Sequence, residues 1–500
     1  MEFLLTVYGL LGLSVLAYVI SWAQSYRRLR HFDGPPLSST DLFMLRTASS
    51  GRLCEIYMEV CQKYGSLARI GPKTLVTDDP ELIKRMSSAR SAYSRSSYYS
   101  CLRLHPRLHN MFSTLDRDQH DDIKARTAAG YTSREVPNLE ADIDEQIVVM
   151  QDLIRKKYIS TGSDTKLMDF SNLMSYLTLD IITKLAYGET FDWLSTDSDV
   201  FSFNKILHGK MQLMETIGEV EPLGVFFGSI PVRKIFGAKA TDPDGLGRLM
   251  ALAADLVNKR FGPDAKDQKD MLGSFIRHGL SREHCEGEIL LQVGAGADTS
   301  ACALKGIFLY AITAPPVYHR LQQEIDRGIS EGRISTPITN AEGKALPYLQ
   351  AVILEGLRLH PPVPTIFTKQ LYGSEDDYYQ GKRIPVGTKI AQATRGLMNR
   401  KDIFGEDAAL FRPERWLEAG PEKRDEMENT VHLNWGYGRW GCAGKNVAWV
   451  ELNKIVVEIL RYFDLQIAAP TKPWNTATFV TVQVSGMMVK VTLRPEQKAE

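Results

Sequence analysis

Apolar and polar positions alternate along this chain in three distinct rhythms. From Phe3 to Trp22, 20 residues pass without a charge, rich in Leu, Val, Tyr and Ile. That length suffices to span a bilayer. From residue 140 to 315 apolar side chains recur at helical spacing, with breaks near Gly162, Pro222, Pro231 and Pro243. Strand-like β-branched stretches stand at Lys382–Ile390 and Thr478–Leu493. Nearer the start, Ser66–Ile70 and Thr74–Thr77 flank Gly71-Pro72 and predict a hairpin. The stretch Pro80–Met86 reads as a helix. Residues 93–115 are rich in Tyr, Ser, Arg and His, lack a period and read as a long loop. The pattern predicts a mainly α protein with small β-sheets toward both ends. No internal repeat or low-complexity tract is present.

Three segments follow. Residues 3–22 are expected to form a transmembrane anchor, residues 23–36 a basic and Pro-rich linker, and residues 37–500 one folded domain. Arg27, Arg28 and Arg30 follow the apolar run, so the remainder is expected on the cytosolic side. Gly34-Pro35-Pro36 makes a stiff, extended exit. A cleaved signal peptide is the rival reading. It fits less well: the run is long, nothing basic precedes it and no small-x-small site stands out. A transporter or channel is not expected, because no other stretch approaches the roughly 18 apolar residues of a span.

Lys plus Arg and Asp plus Glu balance at 60 each, which removes a general electrostatic case for nucleic acid. Six cysteines (Cys54, Cys61, Cys101, Cys285, Cys302 and Cys442) show no Cys-x-x-Cys spacing. Reduced thiols in a cytosol-facing protein are expected.

Chemistry concentrates in four motifs. Trp435-Gly436-Tyr437-Gly438-Arg439-Trp440-Gly441-Cys442-Ala443-Gly444 sets one cysteine in a Gly-rich loop that enters a helix. A thiolate there is favoured by the backbone amides and the helix dipole. The bland alternative is a turn with a structural cysteine. Ala295-Gly296-Ala297-Asp298-Thr299-Ser300 lies inside a long apolar helix, Ser281 to Thr313, which Pro315-Pro316 ends. Gly and Thr there predict a local opening of the helix. The alternative is Thr299 bonding back to its own turn. Glu355-Gly356-Leu357-Arg358 places an acid and a base on one face of an apolar helix starting near Pro347, so the pair is expected to be buried. Phe411-Arg412-Pro413-Glu414-Arg415-Trp416 supplies a further arginine.

Together, in this order, the four motifs resemble those of the cytochrome P450 family, and the resemblance covers nearly the whole chain. The family loop reads Phe-x-x-Gly-x-Arg-x-Cys-x-Gly, followed by Ala. Here Trp435 takes the Phe place, while Gly438, Gly444 and Ala448 match. The arginine departs: Arg439 stands one place early and Trp440 fills its position. The resemblance implies the cytochrome P450 fold and a haem b whose iron takes Cys442 as axial ligand. Trp435, Gly436, Gly438, Gly444, Ala295 and Gly296 would border it. Asp298 and Thr299 would deliver protons. Glu355, Arg358 and Arg415 would form a structural triad. Propionates would meet His120, Lys124, Lys369 and Arg439. Substrate contacts would come from Tyr98, Tyr99, Val293, Ala297, Val363, Ile366, Phe367, Phe479 and Val480, each of which could equally pack the core.

The implied activity is a membrane-anchored monooxygenase acting on a hydrophobic small molecule such as a terpenoid or polyketide. No second domain follows the cysteine loop, so electrons are expected from NADPH through a separate cytochrome P450 reductase, with cytochrome b5 as a second donor. The style of the motifs is similar to filamentous-fungal members that tailor secondary metabolites, at the endoplasmic reticulum membrane. Two alternatives remain: a haem-thiolate isomerase or dehydratase needing no reductase, and a non-catalytic haem sensor. The Asp298-Thr299 pair argues against both.

Overall fold

One 31-residue helix, Arg282–Ile312, organises the fold and is called here the central helix. Ser281 caps it by accepting from the His284 amide, and Thr313 closes it ahead of Pro315. In this computed structural model residues 2–105, 108–229, 232, 237–365 and 367–495 are described. The central helix is apolar nearly all round, and its neighbours enclose it. Helix Phe170–Tyr187 lies along it, so close at Gly296 that a Cβ would stand 2.9 Å from Ile182. Helix Pro347–Leu359 crosses it, with Gly356 seated on Ile307, where a Cβ would come within 2.4 Å. Two more helices complete the setting of the site. The roof helix is Phe203–Glu219, and the helix Lys445–Tyr462 follows the cysteine loop.

The strands are β1 (Leu67–Arg69), β2 (Thr74–Thr77), β3 (Tyr93–Arg95), β4 (Leu167–Asp169), β5 (Lys369–Leu371), β6 (Asp377–Tyr379), β7 (Lys382–Ile384), β8 (Lys389–Gln392), β9 (Phe463–Ile467), β10 (Asn475–Phe479), β11 (Thr481–Ser485) and β12 (Met488–Leu493). The largest sheet runs β1-β2-β8-β5-β3, and only β2 and β8 pair in parallel. β4-β12-β9, β10-β11 and β6-β7 form smaller antiparallel sheets. The mainly α reading with small sheets therefore holds.

Several expectations need correction. Residues 93–115 are not a loop throughout. Tyr93–Arg95 pairs with β5, and Ser97–Leu102 forms a 3₁₀ turn that buries Tyr98 and Tyr99. A three-residue strand is too short to show a period. The break expected near Pro222 is present: helix Phe203–Glu219 ends at Val220 and Pro222 lies in the first turn of helix Glu221–Gly228, where its missing N–H is harmless. Pro231 lies outside the described residues. The helix expected to open near Thr299 is continuous. The N-terminal run is helical within Glu2–Leu29, and Leu13, Val15, Leu16 and Ile20 are exposed. Among the described residues no single helix is long and apolar enough to cross a membrane.

Glu355 is fully buried and accepts five hydrogen bonds. Arg358 gives two, from Nε at 2.9 Å and Nη2 at 2.7 Å. Arg415 Nε gives one at 3.0 Å, Trp416 Nε1 one at 3.0 Å, and the Arg412 amide one at 2.9 Å. Arg358 Nη1 reaches on to the carbonyls of Met398 and Ala408. The triad thus ties helix Pro347–Leu359 to the irregular segment before the cysteine loop. A buried ion pair adds little net stability while intact, but losing one partner strands a charge. Arg358→Ala is predicted to cost about 3–5 kcal/mol. Thermal unfolding of the purified variant checks this, and an unchanged midpoint would contradict it.

Candidate functional site

The cysteine loop is shaped by two glycines with positive φ. Gly436 (φ 73°) brings its backbone against the Trp440 carbonyl, and Gly438 (φ 57°) against the Ser87 carbonyl. A Cβ at either would stand 2.5 Å from that oxygen. Gly444 has no such constraint: its φ is ordinary, and a Cβ there would make normal contact with the sulfur. The Cys442 amide donates to the Trp435 carbonyl at 2.7 Å, closing the loop. The thiol is reached by the Gly444 and Lys445 amides. Burial nevertheless dominates and raises its pKa, although the two amides, Lys124 and Lys445 pull it down. Cys442 is an exposed residue, yet protein encloses its thiol. The surface it exposes faces an internal cavity.

That cavity measures about 290 Å³. Leu291, Gln292, Gly294, Ala295, Gly296, Thr299, Ser300 and Ala303 form its wall on the central helix. Leu207, Met211 and Met214 reach it from the roof helix. Val363, Phe367, Val480, Met111, Phe112 and Met271 complete an apolar wall in which methionine is frequent. Methionine side chains adapt to irregular apolar shapes.

Thr299 lines the cavity, and its Oγ1 donates to the Ala295 carbonyl at 2.8 Å, the back-bonded alternative. Asp298 points elsewhere. Its Oδ1 pairs with His208 Nε2 at 2.9 Å and its Oδ2 accepts from Thr481 Oγ1 at 2.6 Å. Burial alone would raise its pKa, but His208, Lys305 and Thr481 outweigh that and lower it. Glu451, on helix Lys445–Tyr462, lines the cavity beside Ser300 and is pushed up to about 7 by burial. It is an acid that the sequence reading missed.

Cations gather near Trp440. Arg95 on β3 is buried, lines the cavity and lies 4.5 Å from the Trp440 ring. Its Nη1 reaches the Met111 carbonyl at 2.6 Å, but its Nε has no partner. Lys369 on β5 is buried with its Nζ 4.6 Å from the same ring and without a hydrogen-bond partner among the described residues. Burial, then Arg95, lowers the Lys369 pKa well below its ordinary value. His120 also lines the cavity, 4.6 Å from Trp440. Its Nδ1 meets Asp121 at 2.8 Å, and burial pushes its pKa down to about 4, so the ring is neutral near pH 7.

The cytochrome P450 family profile matches residues 40–491. The chain belongs to that family. It is 42% identical over 495 residues to the cytochrome P450 monooxygenase ABA1 of Pyricularia oryzae, covering 97% of this chain and 96% of that one. It is 41% identical over 468 residues to aba1 of Botryotinia fuckeliana, covering 93% and 92%. It is 37% identical over 462 residues to abl1 of Leptosphaeria maculans, covering 91% and 81%. The enzyme is a cytochrome P450 monooxygenase, and relatives of this kind place it among fungal P450s of secondary metabolism. The family implies haem with cysteine thiolate ligation, a redox partner and a small-molecule substrate.

The residues present fit a haem. Cys442 offers one thiol to the cavity. Arg95 and Lys369 offer buried, unpartnered N–H groups of the kind a ring's carboxylates would satisfy. Other expected residues fall elsewhere. Lys124 is occupied by the carbonyls of Arg439 at 2.7 Å and Gly441 at 2.9 Å, so it staples the cysteine loop instead. Arg439 pairs with Asp121 and does not line the cavity. Its one-place shift from the usual position turns it outward and leaves Trp440 inside. Val293 and Ala297 are buried and do not line the cavity. Tyr98 and Tyr99 lie in the second layer, and Phe479 packs toward Gly51. Gly436 and Gly438 do not line this cavity but a second recess, which they share with Lys84, His432 and Cys442. Ile366 lies outside the described residues. Arg95 could not be found from sequence, because nothing distinguishes it from the arginines nearby.

Lys369→Met should separate folding from cofactor retention. Removing a lone buried ammonium should stabilise the haem-free protein by about 1–3 kcal/mol. The same change should lower haem per polypeptide. Apoprotein melting and pyridine haemochromogen content measure the two. A variant that retains haem fully would contradict the assignment.

Proposed function

We propose that this protein is a haem-thiolate monooxygenase that inserts one atom of dioxygen into a hydrophobic small molecule of terpenoid or polyketide size. The observation that carries the reading is a cavity with the Cys442 thiol at one wall, Arg95 at another with Lys369 behind it on the adjacent strand, and apolar side chains over the remainder. Bound there, haem supplies the dioxygen and one-electron chemistry that no side chain can perform. Insertion consumes two electrons and two protons per dioxygen and releases one water. NADPH supplies the electrons through a separate reductase, with cytochrome b5 as an alternative donor for the second.

The chain's own groups do the rest. Met211, Met214, Val363 and Val480 exclude water and orient the substrate. Thr299 and Ser300 present hydroxyls to the cavity, and Ser300 is bonded to Glu451, which exchanges protons near neutral pH. Asp298 stands one residue from Thr299 and acts after turning away from His208. The uncharged run Phe3–Trp22, followed by Arg27, Arg28 and Arg30, anchors the protein in the endoplasmic reticulum membrane with its folded domain in the cytosol.

Metabolite profiling of a strain lacking the gene, against its parent, tests this reading. An accumulated compound one oxygen poorer than a lost product is the expected result, with label from dioxygen in that product. An accumulated isomer, or a compound differing only by water, would replace it with the non-oxidative reading. Alkaline extraction of microsomes should leave the full chain in the membrane, and release would contradict the anchor.

A further inference from the structure

Behind the cavity wall lies a sealed polar pocket that the reaction does not use. Glu215, on the roof helix, is fully buried. Its Oε2 accepts from Tyr98 Oη at 2.8 Å and from the Val480 amide at 2.6 Å. Tyr98 belongs to the Ser97–Leu102 turn, whose Leu102 lines the cavity. Val480 is the single residue between β10 and β11, where Phe479 pairs directly with Thr481. It has a φ of 60°. A β-branched residue seldom adopts that conformation, which persists only where surrounding groups enforce it. Two carboxyls enforce it here: Glu215 holds the Val480 amide, and Asp298 holds the Thr481 hydroxyl. Val480 and Thr481 both line the cavity.

We propose, on the reading that this cavity holds the substrate, that Glu215 is a positioning residue. Its buried carboxyl clamps the β10–β11 tip and the Ser97–Leu102 turn to the roof helix, and so sets the shape of the substrate-facing wall.

The pocket is built for an uncharged acid. Facing Glu215 and Glu219 are Tyr98 and Cys101 from the turn, Tyr57 from helix Leu53–Tyr64, Lys389 from β8 and the Thr365 hydroxyl. Lys389 Nζ donates to Ser97 Oγ at 2.9 Å and also stands 3.4 Å from Glu221. Burial pushes Glu215 up to about 7 and Glu219 up to about 8, the latter also by the charge of Glu215. A folded-state pKa above the ordinary value means that the pocket favours the protonated form. Folding stability therefore falls as pH rises from the ordinary carboxyl range toward these values, whereas the two bonds that Oε2 accepts are available to either form.

Two nitrogen ligands of haem report on the wall: imidazole, too small to reach it, and clotrimazole, which must press against it. Each binding curve is read from the shift of the haem Soret band, with the reduced CO spectrum as control. Glu215→Leu should weaken clotrimazole relative to imidazole about tenfold at a fixed pH, because the wall is no longer held. Glu215→Gln keeps an acceptor and should stay within about twofold of wild type there. Equal losses in both variants, or an unchanged ratio in Glu215→Leu with a normal CO spectrum, would overturn the proposal alone. If Glu215→Leu does not fold, Tyr98→Phe, which removes one of the two bonds to Glu215, decides: an unchanged clotrimazole-to-imidazole ratio overturns the proposal. A wild-type protein without a thiolate-type CO band would remove the haem reading, and this proposal with it.

Discussion

The fold depends on one buried carboxylate. Glu355 is fully enclosed and is neutralised by Arg358 and Arg415, with Trp416 and the Arg412 amide filling its remaining lone pairs. A carboxylate in such a place is tolerable only with every acceptor site used. The two arginines extend the constraint. Their other N–H groups bind carbonyls of Met398, Phe404, Asp407, Ala408 and Leu410, all in a stretch with little regular structure. The chain that leads to Cys442 is thereby fixed by side chains where backbone pairing cannot fix it.

Around the cavity the opposite situation holds. Arg95 and Lys369 keep buried donors without partners, beside each other and beside Trp440. A core selected for stability alone would not retain them. Burial also raises the Cys442 thiol pKa despite two amides and two lysines nearby. Each imbalance has the sign that binding haem would correct. An iron would hold the thiolate, and carboxylates would satisfy the cations. Glu355 is thus a balanced site that holds the fold, and Arg95 and Lys369 an unbalanced one that awaits a ligand.

The sequence disclosed what depends on local spacing. The central helix from Ser281, the Glu355–Arg358 pair and the glycine-shaped loop at Cys442 are each encoded in contiguous sequence. What depends on the meeting of distant segments stayed hidden. Arg95 matters because β3 pairs with β5 and brings it beside Lys369. The roof methionines matter because Phe203–Glu219 crosses above the cavity. Helix phase was the other source of error. Ala297 sits within the right motif and Val293 just before it, yet the cavity is lined by their neighbours Gln292, Gly294, Ala295 and Gly296. Arg439 was misjudged because the resemblance fixed its position in the loop but not the direction of its side chain, which Asp121 decides.

The most direct test of the central claim is the reduced, CO-bound absorption spectrum of the purified protein beside that of Cys442→Ser. The account predicts the red-shifted Soret band of a thiolate-ligated haem in the wild type and its loss in the variant. A wild type lacking that band, or a variant that keeps it, would show that Cys442 is not the iron ligand and would remove the basis of the site described above.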